Sequence, residues 1–295
     1  MGRIPIKKCN FTRQKIRIQM DFIGDVFQYG YLSNALIACL LSGITCGIIG
    51  TYTVARRTVF LSGGITHASF GGLGIAFYFG VNPILGAMAF AVASALGIEY
   101  VSSHGKIRED SAIGLIWGVG MAVGALFMSL RPGYTSGDLS SFLFGNIITV
   151  TDTDVAALAV TSAVLLVMTI LWIRPIMYVA FDRSFAKAAG LHTKLISYTM
   201  SVITAVTIVL SIRVMGIVLL ISLLTMPVVI VNFFSKSYKT ITLWSAVVAS
   251  VAGVAGIVAS YYMEVPSGPA IIFVLTFALI IAKPLSLQIV KTARR

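Results

Sequence analysis

Charge of one sign is scarce in this chain. Only 10 Asp and Glu occur among 295 residues, against 22 Lys and Arg, and charged residues make up 11% of the whole. Soluble domains carry about 25%, so a water-soluble fold is excluded. Cysteine is nearly missing as well. Cys9, Cys39 and Cys46 are odd in number and never spaced Cys-x-x-Cys, which excludes a disulfide framework and a thiolate metal site. No Gly-x-x-x-x-Gly-Lys-Ser/Thr run exists to cradle nucleotide phosphates; the one Gly-Lys pair, Gly105-Lys106, lacks that spacing. The first 20 residues are basic and have no apolar core ahead of a small-residue cleavage site, so no signal peptide is expected.

What the chain does have is apolar length. Hydrophobic residues make up 58%, and mean hydropathy is +0.95. A membrane-crossing helix needs about 20 mostly apolar residues. Nine stretches qualify: 32–54, 59–79, 84–101, 112–130, 153–173, 194–212, 214–233, 240–262 and 268–284. The sixth and seventh are separated only by Arg213, so one of them is expected to be broken or incomplete. The breaks carry turn chemistry at Asn82-Pro83, Arg131-Pro132-Gly133, Arg174-Pro175 and Pro266-Ser267-Gly268-Pro269. The expected fold is an all-α polytopic bundle of 8–9 transmembrane helices. It comprises a basic N-terminal tail or interfacial segment at 1–31, a membrane domain at 32–285 and a short basic tail at 286–295.

The net charge of +12 would suggest nucleic acid in a soluble protein. In a membrane protein it reflects basic cytoplasmic loops, and no nucleic-acid partner is expected. One set of alternate loops holds Arg56, Arg57, Lys106, Arg108, Arg174, Arg183, Lys187, Lys194, Lys236, Lys239, Lys283, Lys291, Arg294 and Arg295. The other holds Arg131 and Arg213, apart from the N-terminal tail. That asymmetry places the first set in the cytoplasm. With nine spans the C-terminus is inside and the N-terminus outside. The tail, with Arg3, Lys7, Lys8, Arg13, Lys15 and Arg17, runs against this.

The acidic residues Asp21, Asp25, Glu99, Glu109, Asp110, Asp138, Asp152, Asp154, Asp182 and Glu264 are read as lying in loops or at span ends. Ion-coupled transporters keep a carboxylate at mid-membrane, where it costs roughly 2.5–3.5 kcal/mol to insert. Its absence argues against sodium or proton coupling. If ATP drives this protein, a partner subunit must bind it.

His67 is the one ionisable side chain deep within a span, inside the glycine-rich stretch from Leu61 to Gly72. Imidazole is the commonest ligand for divalent transition metals. The competing role for such a histidine is a hydrogen bond to a neighbouring helix; the room left by the glycines favours a transit ligand. Ser62, Gly63, Thr66 and Ser69 are the candidate pathway-lining positions around it. In the cytoplasmic loop at 181–190, Asp182 fits a helix N-cap and Gly190 a C′ residue, with Phe181 and Phe185 on one face. Such a short helix could dock in a groove of a soluble partner, although an ordinary interfacial loop helix has the same composition. Pro227 falls inside an apolar run and predicts a kink. Glycines 43, 47, 50, 118, 120 and 124 predict close helix packing. Glu109-Asp110 is explained by the preference of carboxylates for a helix N-terminus. No paired catalytic groups converge within the spans, so an enzyme is not expected.

Taken in order, several segments resemble the permease subunits of the zinc/manganese/iron ABC importers, the ABC-3 family. They are Arg56-Arg57 followed by His67-Ala68, the 108–114 stretch, Leu143-Phe144-Gly145, the Phe-Asp…Ala-Gly loop at 181–190, Val214–Leu219 ahead of Pro227, and Pro266–Pro269. The resemblance implies a type II ABC importer-like fold and a homodimer in lipid. It implies an ATP-binding subunit beneath, hydrolysing ATP, and an extracytoplasmic metal-binding protein above. No permanent cofactor is implied; the divalent metal is the substrate. The 181–190 loop then looks like the coupling helix, with Phe181, Asp182, Phe185, Ala186, Ala189 and Gly190 meeting the ATPase. In such permeases an aspartate commonly stands four residues before the histidine matching His67. Here that position is Gly63, which also leaves room for a metal chelate or another small organic ligand as cargo. An ATP-independent secondary transporter is the remaining alternative.

Overall fold

A computed structural model describes residues 22–104, 107–130 and 150–293. The N-terminal residues 1–21, Lys106, Arg131-Pro132-Gly133, Asp138, Leu143-Phe144-Gly145, Arg294 and Arg295 lie outside the described residues. The described chain is helical, with no strand among these residues. In order the helices are α1 (Phe22–Gln28), α2 (Gly30–Ala55), α3 (Val59–Phe79), α4 (Pro83–His104), α5 (Glu109–Ser129), α6 (Asp152–Phe181), α7 (Arg183–Ala188), α8 (Thr193–Asn232), α9 (Tyr238–Met263) and α10 (Ser267–Ala293). Eight of them are long and apolar enough to cross a membrane.

Local chemistry sets the boundaries. Gly80 ends α3 in the left-handed region with φ 68°, which costs glycine nothing. Asn82 Oδ1 accepts from the Ile84 N–H at 3.0 Å, and Pro83 opens α4 where its missing N–H is harmless. Thr151 and Asp154 form a reciprocal capping box at the start of α6. Pro175 does not end α6. The helix runs on to Phe181 and breaks its torsions at Trp172, three residues earlier, because a proline ring crowds the carbonyls of the preceding turn.

The expected spans at 194–212 and 214–233 form one 40-residue helix interrupted at Gly216, where φ is 75° and ψ 168°. Side-chain pairs fix the direction of its two legs. Arg213 pairs with Asp154 at 2.9 Å, and neighbouring Asp152 bonds Asn34, early in α2, at 2.7 Å. At the other end of the bundle, Arg56 just past α2 pairs with Glu99 late in α4 at 2.9 Å. Phe181 stacks edge-on against Tyr238 at 6.0 Å. Residues 193 and 232 therefore both lie at the end that holds Arg56 and Phe181, while Arg213 lies at the opposite one. The chain rises along the first leg, reverses at Gly216 and descends. The break falls at Gly216, not at Pro227, whose torsions remain helical.

Both expected terminal segments are partly helical. Residues 22–28 form α1, whose Phe22 ring meets Tyr261 at 5.2 Å and whose Asp25 accepts from the Tyr261 hydroxyl. At the other terminus α10 continues past residue 285 to Ala293.

Helices approach closely where glycines allow it. A Cβ on Gly43 would lie 2.6 Å from Ser250 Cα, and the Ser250 hydroxyl donates to the Leu40 carbonyl at 3.1 Å, tying α9 to α2. A Cβ on Gly120 would lie 2.6 Å from Ala68 Cα, which seats α5 against α3. Lipid gives no hydrophobic drive to helix association, so such contacts and interhelical hydrogen bonds supply it. Gly118, expected to pack in the same way, has open space around it.

Candidate transit site and ionic cluster

His67 sits on α3, half-buried. Its imidazole lies parallel to the Trp117 indole of α5, with centroids 4.4 Å apart and 4° between the planes. The contact fixes one face of the ring. Among the described residues no hydrogen bond to the imidazole is formed, so both nitrogens stay available to a ligand. One turn before it, a Cβ on Gly63 would meet only Ile221 Cδ1 at 3.7 Å. Ser62, Thr66 and Ser69 are all fully buried. Ser62 donates to the Val59 carbonyl at 2.7 Å and Ser69 to the Thr66 carbonyl at 2.6 Å. Both hydroxyls are thus engaged within their own helix, whereas the Thr66 hydroxyl has no hydrogen-bond partner among the described residues. Among the described residues no three His, Cys, Asp or Glu side chains come together to hold a metal. A single copy supplies one imidazole.

The loop at 181–190 folds as its residues suggest. Asp182 caps α7 by accepting from the Ser184 and Phe185 N–H groups at 2.8 and 3.0 Å. Gly190 closes it in the left-handed region at φ 80°. Phe181 and Phe185 are 67% and 55% exposed, and Asp182, Ala189 and Gly190 are exposed with them. Ala186 is fully buried, so it faces the bundle and not a partner.

The sequence reading missed a charged cluster at the same end. Glu99 is not at a span margin in solvent. It is 2% exposed, inside α4, because two arginines neutralise it there. Its Oε1 accepts from Arg183 of α7 at 2.6 Å. Its Oε2 accepts from Arg56 at 2.9 Å and from the Ser201 hydroxyl of α8 at 3.4 Å. Arg56 also reaches Glu109, the first residue of α5, and the Tyr52 hydroxyl. Glu109 therefore does more than favour a helix N-terminus. Burial alone disfavours a charged guanidinium at Arg56, but Tyr52, Glu99 and Glu109 outweigh it and raise its pKa. The signal in the sequence was one Glu near the end of an apolar span, with arginines in two separate loops. Nothing local joins them.

Eight helices long and apolar enough to cross a membrane make this a multi-pass membrane protein. The ABC 3 transport family matches residues 28–285, and the chain belongs to it. A manganese transport system membrane protein of Halalkalibacterium halodurans is 31% identical, over 86% of this chain and 86% of that protein. A probable metal transport system membrane protein of Chlamydia pneumoniae is 34% identical, over 85% of this chain and 87% of its own length. Among solved structures, PsaBC from Streptococcus pneumoniae in complex with Fab superposes with a TM-score of 0.78 at 26% identity, covering 88% of this chain and 94% of that one. The protein is a multi-pass component of a bacterial plasma membrane and a transport component.

Proposed function

We propose that this chain is the membrane-spanning subunit of an ATP-driven importer of a divalent transition metal, with manganese the first candidate and zinc and iron the others. The family match along almost the whole membrane domain carries this reading. The manganese and metal transport names of its relatives support the cargo.

ATP is bound and hydrolysed in a separate subunit that docks on α7 through Phe181, Asp182, Phe185, Ala189 and Gly190. A metal-binding protein delivers the ion at the opposite end. Two copies of the chain flank the pathway, and each contributes His67 as a transit ligand. One imidazole per subunit binds weakly enough to release the ion, as permeation requires. Gly63, where a Cβ would meet only Ile221 Cδ1 at 3.7 Å, supports a second reading, in which the cargo is a metal chelate.

Whole-cell elemental analysis of the native host tests the reading. Deleting this chain should lower manganese, zinc or iron, and the wild-type sequence should restore it. A deletion strain with unchanged metals would sink the metal-import reading.

A further inference from the structure

Four charged side chains from four segments join α7 to the His67 helix. Arg183 is the first residue of α7 and holds Glu99 Oε1. Arg56, in the turn between α2 and α3, holds Glu99 Oε2 and reaches Glu109 at the start of α5. From there the helix is rigidly seated on α3. A Cβ on Gly71 would lie 2.8 Å from the Gly120 carbonyl, one on Gly64 2.5 Å from Ile113 Cγ2, and one on Gly120 2.6 Å from Ala68. Two helices in backbone-level contact cannot slide independently. Trp117, two turns into α5, lies against His67. The side chains of Arg56 and Glu99 are 5% and 3% exposed, while Arg183 is 35% exposed. The link is thus dry at its centre and wet at the end nearest the docking helix.

A buried ion network of this kind contributes little net stability compared with apolar packing, but losing one member leaves an uncompensated charge. That favours discrete arrangements over gradual loosening, which suits a two-state element. We propose that Glu99 is a positioning residue that transmits movement of α7 to the His67–Trp117 pair, by holding Arg183 on one carboxylate oxygen and Arg56 on the other. When α7 is displaced, Arg183 draws Glu99 with it. Arg56 follows, and through Glu109 the α3–α5 pair tilts as one body. This rests on the transport reading above, in which a nucleotide-driven subunit moves α7.

The test uses the complete transporter, this chain with its ATP-binding subunit, in nanodiscs. The chain has three tryptophans. Trp172→Phe and Trp244→Phe leave Trp117 as its sole indole, and a Trp117→Phe control isolates its signal from that of the partner subunit. Trapping with ATP and vanadate should change Trp117 emission in this background. Glu99→Gln and Arg183→Gln should each cut that change about fivefold or more, Arg183→Lys should restore most of it, and the double variant should be no worse than either single one. A purely structural role would lower yield or melting temperature and leave the optical response per assembled complex intact. An undiminished response in Arg183→Gln, or no response in the parent, overturns the proposal. If Glu99→Gln does not assemble, the half-exposed Arg183 decides the matter alone. Uptake of radioactive manganese, zinc and iron by the same complex in liposomes, with the metal-binding protein supplied, is read separately. A responsive Trp117 without uptake of any of the three metals would refute the metal-import reading and leave the coupling intact.

Discussion

The His67 imidazole and the Trp117 indole stack face to face, with centroids 4.4 Å apart and planes nearly parallel. That contact holds the His67 imidazole in one ring plane, and among the described residues nothing bonds its nitrogens. It also makes α5 part of the candidate transit site, although α5 has no ligand of its own there.

His67→Ala should reduce uptake of the transported metal about tenfold or more, in the range seen when a metal-site residue is lost, while membrane levels stay normal. Trp117→Leu, which keeps an apolar contact but no stacked plane, should show a smaller loss. Elemental analysis of complemented deletion cells, with immunoblots for membrane amount, reads both. Full restoration by His67→Ala would leave the histidine a structural residue.

Gly63→Asp places a carboxylate one helical turn before His67. The Cβ has space, with Ile221 Cδ1 at an ordinary 3.7 Å. Adding an oxygen ligand and a negative charge should tighten divalent metal binding about tenfold and slow release, so turnover falls as affinity rises. Competition with a metal-sensitive dye on purified protein measures the affinity. Unchanged affinity would mean that Gly63 and His67 do not face a common ion.

Gly216→Ala should destabilise the fold by about 1–3 kcal/mol, because φ 75° with ψ 168° is open essentially to glycine alone. The variant should melt several degrees lower in fluorescence-detected size exclusion. Gly50→Ala should do the same by a different route, since its methyl would overlap the Leu224 carbonyl of the descending leg. A Gly216→Ala variant as stable as wild type would contradict the reversal at that residue.

Phe185→Ala removes a ring that is 55% exposed, so melting temperature should barely move. Co-purification of the ATP-binding subunit should drop sharply, because exposed aromatic anchors dominate such interfaces. Ala186→Trp should instead destabilise the chain itself, as Ala186 is fully buried. Retention of the partner by Phe185→Ala would move the docking surface off α7.

Several features were legible because they are local. Hydropathy over about 20 residues marks a helix that must satisfy its own backbone in lipid, and it located α2 to α5 and α9 to within a few residues, together with the starts of α6 and α10. The cap of α7 by Asp182 and its close at Gly190 were readable for the same reason, since each depends on groups within a turn. Gly216 was harder to read. A single glycine in an apolar run is ordinary, and nothing beside it says that the chain turns back there. Pro227 drew attention instead, yet it sits in a leg whose neighbours accommodate it.

The sequence by itself determined that this chain lies in a membrane, which end of each helix faces the basic side, and where one imidazole sits, because apolar length, loop charge and residue type are properties of contiguous segments. Only the tertiary structure decided that Glu99 is buried between Arg56 and Arg183, that Trp117 covers His67, and that the two passes of α8 turn at Gly216. Each of these joins side chains between 43 and 84 positions apart, or reverses direction on one torsion. Such partners meet only when helices pack, and packing is chosen by close glycine contacts and charge pairing across the whole bundle.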